Sequence, residues 1–150
     1  RMGAEVEQIP EGIRIKGGHL QGKDFDLSGT PDALPALAVT GCMAEGTTRL
    51  LNVAQARLKE TDRISVMAGE LTKLGAEVEE LPDGLIIQGG RPLTGTRVHG
   101  HADHRVVMAL AVAGLASEGV TEIDTAEAVS ITFREFTELM RSAGARITVE

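Results

Sequence analysis

An internal duplication constrains the fold of this chain more than any other feature of its sequence. Residues 2–18 (MGAEVEQIPEGIRIKGG) recur 72 residues later as residues 74–90 (LGAEVEELPDGLIIQGG). A third, partial copy (GARITV) occupies residues 144–149. A unit of about 70 residues is therefore reused, which predicts a repeat architecture.

Each copy predicts two strands joined by a tight turn at Pro-acid-Gly, then a loop and a helix. Alternating Val, Ile and Leu indicate the strands, and apolar spacing of three and four indicates the helices. We expect helices near residues 31–44, 60–74, 103–117 and 134–143. We expect strands near residues 4–7, 12–16, 48–53, 76–80, 84–88, 96–99, 120–124 and 145–149.

The duplication also bears on domain organisation. In the second and third copies a predicted helix runs directly into the Gly-Ala that starts the strand, but only Arg1 and Met2 precede Gly3 in the first copy. No Pro-, Gly- or Ser-rich linker divides the chain. We therefore expect residues 1–150 to form a single domain, the C-terminal part of a longer protein whose N-terminal domain is absent.

The composition is that of an ordinary globular chain, with 42% hydrophobic and 25% charged residues. The longest apolar run, residues 106–113, is far shorter than the roughly 18 residues that span a bilayer. Since no secretory signal opens the chain, we expect a cytoplasmic location and no membrane partner. A net charge of −7 and only 2% aromatic residues argue against nucleic acid. The single cysteine, Cys42, excludes an internal disulfide.

Two charged clusters stand where helices are expected to begin. Residues 57–63 (RLKETDR) hold five ionisable groups, and residues 101–105 (HADHR) directly precede the apolar run. Cations near a helix N-terminus are disfavoured by the helix dipole unless an anion binds there, so both clusters indicate an anion site. The alternative is a solvated face with the i,i+3 pairs Glu60–Arg63 and Lys59–Asp62, each worth about 0.2–0.5 kcal/mol.

The duplication aligns Asp32 with Arg105, both in the predicted first turn of an apolar helix. Equivalent positions thus carry opposite charges, although a simple helix-capping role for Asp32 is an alternative. A metal site at His99, His101 and His104 is a further alternative. It lacks the His-x3-His spacing that places two ligands on one helix face, so we predict no metal.

Three segments closely resemble the C-terminal portion of the 5-enolpyruvylshikimate-3-phosphate synthases, a family of enolpyruvyl transferases. They are residues 58–64 (LKETDRI), 71–78 (LTKLGAEV) and 103–111 (DHRVVMALA), and the resemblance covers nearly the whole chain. It implies an α+β fold of repeated βαβαββ units, about two copies here, with helices packed inside against the sheets. It also implies two domains with the active site in the cleft between them.

The resemblance implies transfer of the enolpyruvyl group of phosphoenolpyruvate to the 5-hydroxyl of shikimate 3-phosphate, with release of phosphate. This reaction of aromatic amino acid biosynthesis needs no cofactor, and we expect a monomeric parent enzyme. Because the chain would hold half of the cleft, we expect it to be inactive alone. The alternatives are a non-catalytic βα-repeat scaffold and an enolpyruvyl transferase acting on a UDP-sugar.

The same resemblance implies roles for five residues. Asp32 resembles the general base for the 5-hydroxyl, and Lys59 the residue that binds shikimate phosphate near that hydroxyl and takes part in catalysis. Glu60 resembles the proton donor and acceptor at the methylene carbon of phosphoenolpyruvate. Arg63 and Arg105 resemble the pair that binds its carboxylate.

Three further positions follow the family less closely. Gln55 stands where some members have an Asn that contacts shikimate phosphate. Many members carry a Lys that reaches the phosphate of phosphoenolpyruvate, followed three residues later by Pro, where this chain has Ile131 and Arg134. We therefore do not expect this segment to contact phosphate unless Arg134, one helical turn later, replaces that Lys.

Overall fold

The computed structural model describes residues 2–149. Its strands are β1 (Glu5–Ile9), β2 (Gly12–Lys16), β3 (Asp24–Asp26), β4 (Gly46–Leu51), β5 (Glu77–Leu81), β6 (Gly84–Gly89), β7 (Leu93–Thr94), β8 (Arg97–His99), β9 (Ser117–Glu118) and β10 (Glu122–Asp124). Its α-helices are α1 (Leu34–Met43), α2 (Arg63–Lys73), α3 (His104–Leu115) and α4 (Phe136–Ser142). Short 3-10 helices occupy Pro31–Ala33, Ala54–Leu58 and Ala126–Ile131.

The largest sheet has four strands in the order β3-β4-β6-β5. Strand β3 is parallel to β4, while β6 runs antiparallel to both β4 and β5. The run β3-α1-β4-α2-β5-β6 is therefore one βαβαββ unit. A second unit begins with the parallel pair β8 and β10, between which α3 lies in sequence. The predicted α+β fold of repeated βαβαββ units is confirmed.

The duplication extends to the strand register. Hairpins β1–β2 and β5–β6 have the same antiparallel pairing, and β3 pairs with β4 as β8 pairs with β10. A Cβ added at Gly22 would lie 2.3 Å from the Thr47 carbonyl oxygen, and one added at Gly95 would lie 2.5 Å from that of Val120. These pairs are equivalent in the two copies, so both units use a glycine for the same close approach of backbones.

The helices pack against the four-stranded sheet and against one another. Helix α1 lies on β6, α2 lies on β5, and α1, α2 and α3 are in mutual contact. Large apolar side chains between them are fully buried, each contributing about 1.5–3 kcal/mol by leaving water. These are Leu34, Leu50, Ile64, Met67, Leu71, Leu85, Ile87 and Leu110. None of the helices in the described part of the chain has the length and hydropathy needed to cross a bilayer.

All four helices begin later than predicted, α1 and α2 by three residues each and the other two by one or two. The helix expected over residues 60–74 starts at Arg63, because the Asp62 carboxylate caps it by accepting the Ser65 amide N–H at 3.1 Å. Lys59 therefore lies in the bend before the helix rather than in its first turn. The helix expected over residues 31–44 opens with the 3-10 turn Pro31–Ala33 before α1 begins.

The strand predictions contain one error and three omissions. Residues 145–149 form no strand, since the hairpin partner that pairs with the equivalent strand in the other copies is not present within residues 2–149. Strands β3, β7 and β9 were not predicted. They have only two or three residues and no apolar alternation, so their pairing depends on the neighbouring strands.

The duplication supplies a matched pair of glycines for a stability measurement. A Cβ at Gly89 would lie 2.1 Å from the Ala44 carbonyl oxygen and 2.2 Å from that of Gly41, whereas the equivalent Gly17 has no heavy atom within 4 Å of such a position. We expect Gly89→Ala to lower the free energy of unfolding by about 1–3 kcal/mol through overpacking. Gly17→Ala should change it by no more than about 0.5 kcal/mol. Urea unfolding followed by circular dichroism measures both, and equal effects would contradict the packing described for β6.

Candidate active site

Three helix starts meet at one end of the chain's helical layer. The 3-10 turn before α1 carries Asp32, and the bend before α2 carries Lys59 and Glu60. Arg63 is the first residue of α2, and Arg105 is in the first turn of α3. Ion pairs of 4 Å or less link all five side chains. The structure thus brings together residues that are far apart in sequence.

Arg63 lies at the centre of this site and is only 1% exposed. Its Nε donates to Asp103 Oδ2 at 2.7 Å, and its Nη2 donates to Asp103 Oδ1 at 3.2 Å. Nη2 also donates to Glu60 Oε2 at 2.7 Å, and Nη1 donates to Asp32 Oδ1 at 2.8 Å. One guanidinium therefore holds three carboxylates, and we call these four residues the Arg63 cluster.

The charges of the Arg63 cluster compensate its burial. Burial alone would lower the pKa of Arg63, but the hydrogen bond and charge of Asp103, with the charges of Glu60 and Asp32, outweigh it and raise the pKa. An ion pair buried this deeply is stable only when its donors are satisfied. The guanidinium therefore remains charged while it orients the three acids.

Asp103 was not assigned a role from the sequence, and it is fully buried. Besides Arg63, its carboxylate accepts the amide N–H groups of Arg105 at 2.9 Å and Val106 at 3.4 Å, which caps α3. Burial alone would raise the pKa of Asp103, but the bonds from Arg63 and these amides lower it. Its place directly before an apolar helix is the sequence signal that could have identified it as a cap.

Asp32 is half-exposed and faces three cations. Its carboxylate lies 3.2 Å from Lys59 Nζ, 2.8 Å from Arg63 Nη1 and 3.5 Å from Arg105 Nη2. Burial alone would raise the pKa of Asp32, but the Lys59 hydrogen bond and the charges of Arg105, Lys59 and Arg63 lower it. The carboxylate is therefore ionised at neutral pH and reaches all three basic side chains of the site.

The two arginines of the site differ in access. Arg105 is 42% exposed and lies 3.5 Å from Asp32, so its guanidinium can turn toward a ligand. Every nitrogen of the Arg63 guanidinium already donates to a carboxylate of the chain. A ligand carboxylate can bind Arg63 only if Asp32 or Glu60 releases one of these bonds.

Glu60 is about half-exposed, with one carboxylate oxygen bonded to Arg63. Its other oxygen lies 3.9 Å from Nδ1 of the buried His104. The imidazole thus stands behind the carboxylate, on the side away from solvent. Glu60 presents an open face beside Lys59 and Asp32.

Of the two i,i+3 pairs expected on a solvated helix face, only one forms. Lys59 pairs with Asp32 rather than with Asp62, whose carboxylate instead pairs with Arg57 Nη1 at 2.7 Å. The Glu60–Arg63 pair does form at 2.7 Å, but its arginine is buried. The charged segment of residues 57–63 is therefore part of a packed site and not a solvated helix face.

Arg57 holds the bend before α2 in place, a role that the sequence did not indicate. Its Nε donates to the Pro82 carbonyl at 2.8 Å and its Nη2 to the Leu81 carbonyl at 2.7 Å, both at the turn between β5 and β6. Its Nη1 donates to the capping carboxylate of Asp62. The segment that carries Lys59 and Glu60 is thereby fixed to the sheet.

The remaining predicted positions lie outside the Arg63 cluster. Gln55 donates from Nε2 to the Ser28 carbonyl at 3.0 Å, an exposed contact. Ile131 is 71% exposed at the end of a 3-10 helix, and Arg134 lies in the exposed turn before α4. Within residues 2–149 no hydrogen bond joins any of these three to the cluster.

The histidines give the metal alternative no support. His99 Nδ1 contacts the Asp124 carboxylate, and His101 Nε2 lies 3.0 Å from Glu70 Oε1. The described residues contain no group of three or more His, Cys, Asp or Glu side chains arranged to hold a metal ion.

The loop that carries two of these histidines has an unusual backbone. His101 and Ala102 have φ of 54° and 53°, a left-handed conformation that costs about 1–3 kcal/mol for each residue other than glycine.

Two grooves flank the helices. One of about 240 Å³ runs between α1 and α3 and has Asp32 and Arg105 in its lining. A larger groove of about 360 Å³ lies at the opposite ends of these helices, near Met43 and Ala116. The smaller groove is therefore the one that opens onto the charged site.

The buried acids predict how stability depends on pH. The pKa of Asp103 is lowered in the folded chain, as is that of the buried Glu70. The unfolded chain therefore binds these protons more readily, so acidification favours unfolding. We expect the free energy of unfolding to fall once the pH drops below about 4, where unfolded carboxylates begin to titrate, and to keep falling as the folded-state pKa values are approached.

Urea unfolding at a series of pH values measures this dependence. Asp103→Asn serves as the comparison, because it removes one of the two buried acids. In this variant we expect the free energy of unfolding to be lower at neutral pH and to fall less steeply as the pH is lowered. Two results would contradict the ionised pairing described for the site. One is an equally steep fall of the free energy of unfolding in acid in that variant, and the other is greater stability of the unsubstituted chain in acid than at neutral pH.

Known proteins are similar to this chain in sequence and fold. Residues 1–140 match the family described as EPSP synthase (3-phosphoshikimate 1-carboxyvinyltransferase). The 3-phosphoshikimate 1-carboxyvinyltransferase of Ruminiclostridium cellulolyticum is 56% identical over 146 residues, covering 97% of this chain and 34% of the relative. That of Acetivibrio thermocellus is 54% identical over 147 residues, covering 98% of this chain and 34% of the relative. The chain therefore spans about a third of the length of these curated relatives.

A solved structure agrees with the sequence comparison. The EPSP synthase from Acinetobacter baumannii superposes with a TM-score of 0.89 at 36% sequence identity, covering 99% of this chain and 38% of that one. Its strands and helices therefore follow the same path as those described above. The family match, the identity to these relatives and the shared fold confirm what the charged motifs predicted: the chain belongs to the EPSP synthase family.

Proposed function

We propose that this chain supplies one side of the active site of an enzyme that transfers the enolpyruvyl group of phosphoenolpyruvate to shikimate 3-phosphate. The observation that carries the proposal is the convergence of two open carboxylates and three cations at three helix starts. The names of the relatives support shikimate 3-phosphate over a UDP-sugar as the acceptor.

In this proposal Asp32 and Glu60 move the protons. Asp32 accepts the proton of the 5-hydroxyl as its oxygen attacks C2 of phosphoenolpyruvate, and Glu60 donates a proton to the methylene carbon C3. The resulting tetrahedral intermediate collapses when Glu60 takes a proton back from C3 and the C2–O bond to phosphate breaks. The proton that Asp32 took from the hydroxyl then leaves with the phosphate, so both acids return to their starting states. Positioned acids and bases of this kind each contribute about 10²–10⁴-fold to rate.

The environment of each acid suits its role. Asp32 is ionised because three cations surround it, and the negative charge of the ligands would offset those cations and make the carboxylate a stronger base. Glu60 has an open face toward the site and the His104 imidazole behind it.

The basic residues bind and orient in this proposal. Arg105 is accessible and offers a planar fork to the carboxylate of phosphoenolpyruvate. Lys59 lies 3.2 Å from Asp32 and so binds shikimate phosphate beside the hydroxyl that Asp32 deprotonates. Arg63 adds positive charge behind the carboxylate, and its own bonds fix the orientation of Asp32 and Glu60. Gln55, which lies outside the Arg63 cluster beside Ser28, has only a minor binding role in this proposal.

The charge balance explains why we expect no turnover from this chain alone. Lys59, Arg63 and Arg105 are matched by the carboxylates of Asp32, Glu60 and Asp103, so the site carries no excess positive charge. Two phosphorylated ligands need further cations. We propose that these come from a second domain across a cleft, in a monomeric parent that acts on phosphorylated intermediates in the cytoplasm.

A chimera tests this function in a complete enzyme. The matching third of the Ruminiclostridium cellulolyticum relative is replaced by this chain, and phosphate release is measured with both substrates. We expect turnover, and we expect Glu60→Gln or Asp32→Asn in the chimera to lower kcat by about 10²–10⁴-fold. Either variant should stay folded, because the new amide oxygen can still accept the bond from Arg63 and Asp103 still pairs with it.

Glu11→Gln is the matched control, because it makes the same substitution in the exposed turn between β1 and β2. Near-normal kcat in either site variant would refute the proton-transfer roles. A folded chimera without turnover would support the scaffold alternative, and turnover with a UDP-sugar instead of shikimate 3-phosphate would overturn the assigned acceptor.

A further inference from the structure

We infer that Glu70 is a positioning residue, which holds the loop before α3 against α2 and so fixes Asp103 and Arg105 in the site. Its importance for catalysis rests on the proposed function, whereas the contact itself does not. The residues concerned are Glu70, Lys73, His99 and His101, which we call the Glu70 cluster.

Glu70 is a buried carboxylate that the proposed proton transfers do not use. It is 4% exposed, and its Oε2 accepts the backbone N–H of His99 at 3.0 Å and the Lys73 ammonium at 2.8 Å. Its Oε1 lies 3.0 Å from His101 Nε2. Burial alone would raise the pKa of Glu70, but the bonds from Lys73, His101 and the His99 amide lower it. A charge is retained in this position only because it has these partners.

The loop that Glu70 contacts has an unfavourable backbone. His101 and Ala102 are consecutive left-handed residues, and such a conformation persists only where the surroundings fix it. From the β10 side, Asp124 Oδ1 accepts the Gly100 N–H at 3.1 Å and Thr125 Oγ1 accepts the Ala102 N–H at 3.0 Å. Glu70 supplies the matching contacts from the α2 side.

The geometry of α2 links this loop to the active site. Arg63 and Glu70 are seven residues apart, about two helical turns, so they lie on the same face of α2. Arg63 holds Asp103 at the end of the loop, and Glu70 holds His99 and His101 at its beginning. Two contacts on one helix face therefore set the position of the loop, and with it the start of α3 that carries Arg105.

Hydrogen exchange measured by NMR on the 150-residue chain tests this inference. In Glu70→Gln we expect the Arg63 Nε–H and the amides of residues 99–103 to exchange at least about tenfold faster, while the amides of β4 and β6 keep their protection. In the chimera described above, we also expect Glu70→Gln to raise the Kd for phosphoenolpyruvate about fivefold. A residue that only stabilised the fold would accelerate exchange throughout and leave this Kd unchanged.

Two further variants make the result decisive. Lys73→Ala removes the exposed partner but keeps the bonds of Glu70 to the loop, so we expect wild-type exchange at Arg63. His101→Ala removes one loop contact while the Glu70 carboxylate keeps its bonds to Lys73 and the His99 amide, and this variant decides the matter if Glu70→Gln fails to fold. In folded Glu70→Gln or His101→Ala, wild-type protection at Arg63 Nε–H, uniform acceleration across the chain, or an unchanged Kd would each overturn the inference. A chimera with the unsubstituted chain that does not bind phosphoenolpyruvate would instead overturn the proposed function, and the local exchange at Arg63 and residues 99–103 would then decide the inference.

Discussion

The buried guanidinium of Arg63 is the interaction on which the site depends. Removing an arginine from water costs several kcal/mol, which only a full set of well-placed partners offsets. Asp103, Asp32 and Glu60 provide those partners, and they come from three separate helix starts. Because each carboxylate is fixed by the same planar group, their mutual positions are set by one side chain rather than by three independent loops.

The duplication accounts for the asymmetry of the site. Two copies of one βαβαββ plan place equivalent helix starts side by side, and the sequence then puts a carboxylate at one and a guanidinium at the other. Asp32 and Arg105 thereby become partners across α1 and α3. A single repeated plan can in this way supply both the acid–base groups and the anion-binding groups of a proposed reaction.

Much of the fold was predictable from local pattern. The hairpins β1–β2 and β5–β6 followed from alternation around Pro-acid-Gly, and the four helices followed from apolar spacing, with errors mainly at their ends. Strands β3, β7 and β9 were not predictable, because a strand of two or three residues depends on its neighbour rather than on its own sequence. The predicted strand over residues 145–149 was wrong, since an alternating segment becomes a strand only where a partner is available.

Most residues of the candidate site were predictable from the sequence, but the buried contacts between them were not. The spacing of charges and the family resemblance identified Lys59, Glu60 and Arg105. Neither indicated that Arg63 would be buried or that Asp103 would be its main partner, because those two residues lie 40 positions apart. The supporting roles of Arg57 and Glu70 also depend on contacts between distant segments, which no local pattern encodes.

A double-mutant cycle between Arg63 and Asp103 tests most directly whether this buried pair organises the site. The free energy of unfolding is measured in urea for the unsubstituted chain, Arg63→Gln, Asp103→Asn and the double variant. We expect a coupling free energy of at least about 2 kcal/mol, because each single variant leaves a buried charge without its partner. Effects that add to within about 0.5 kcal/mol would contradict it.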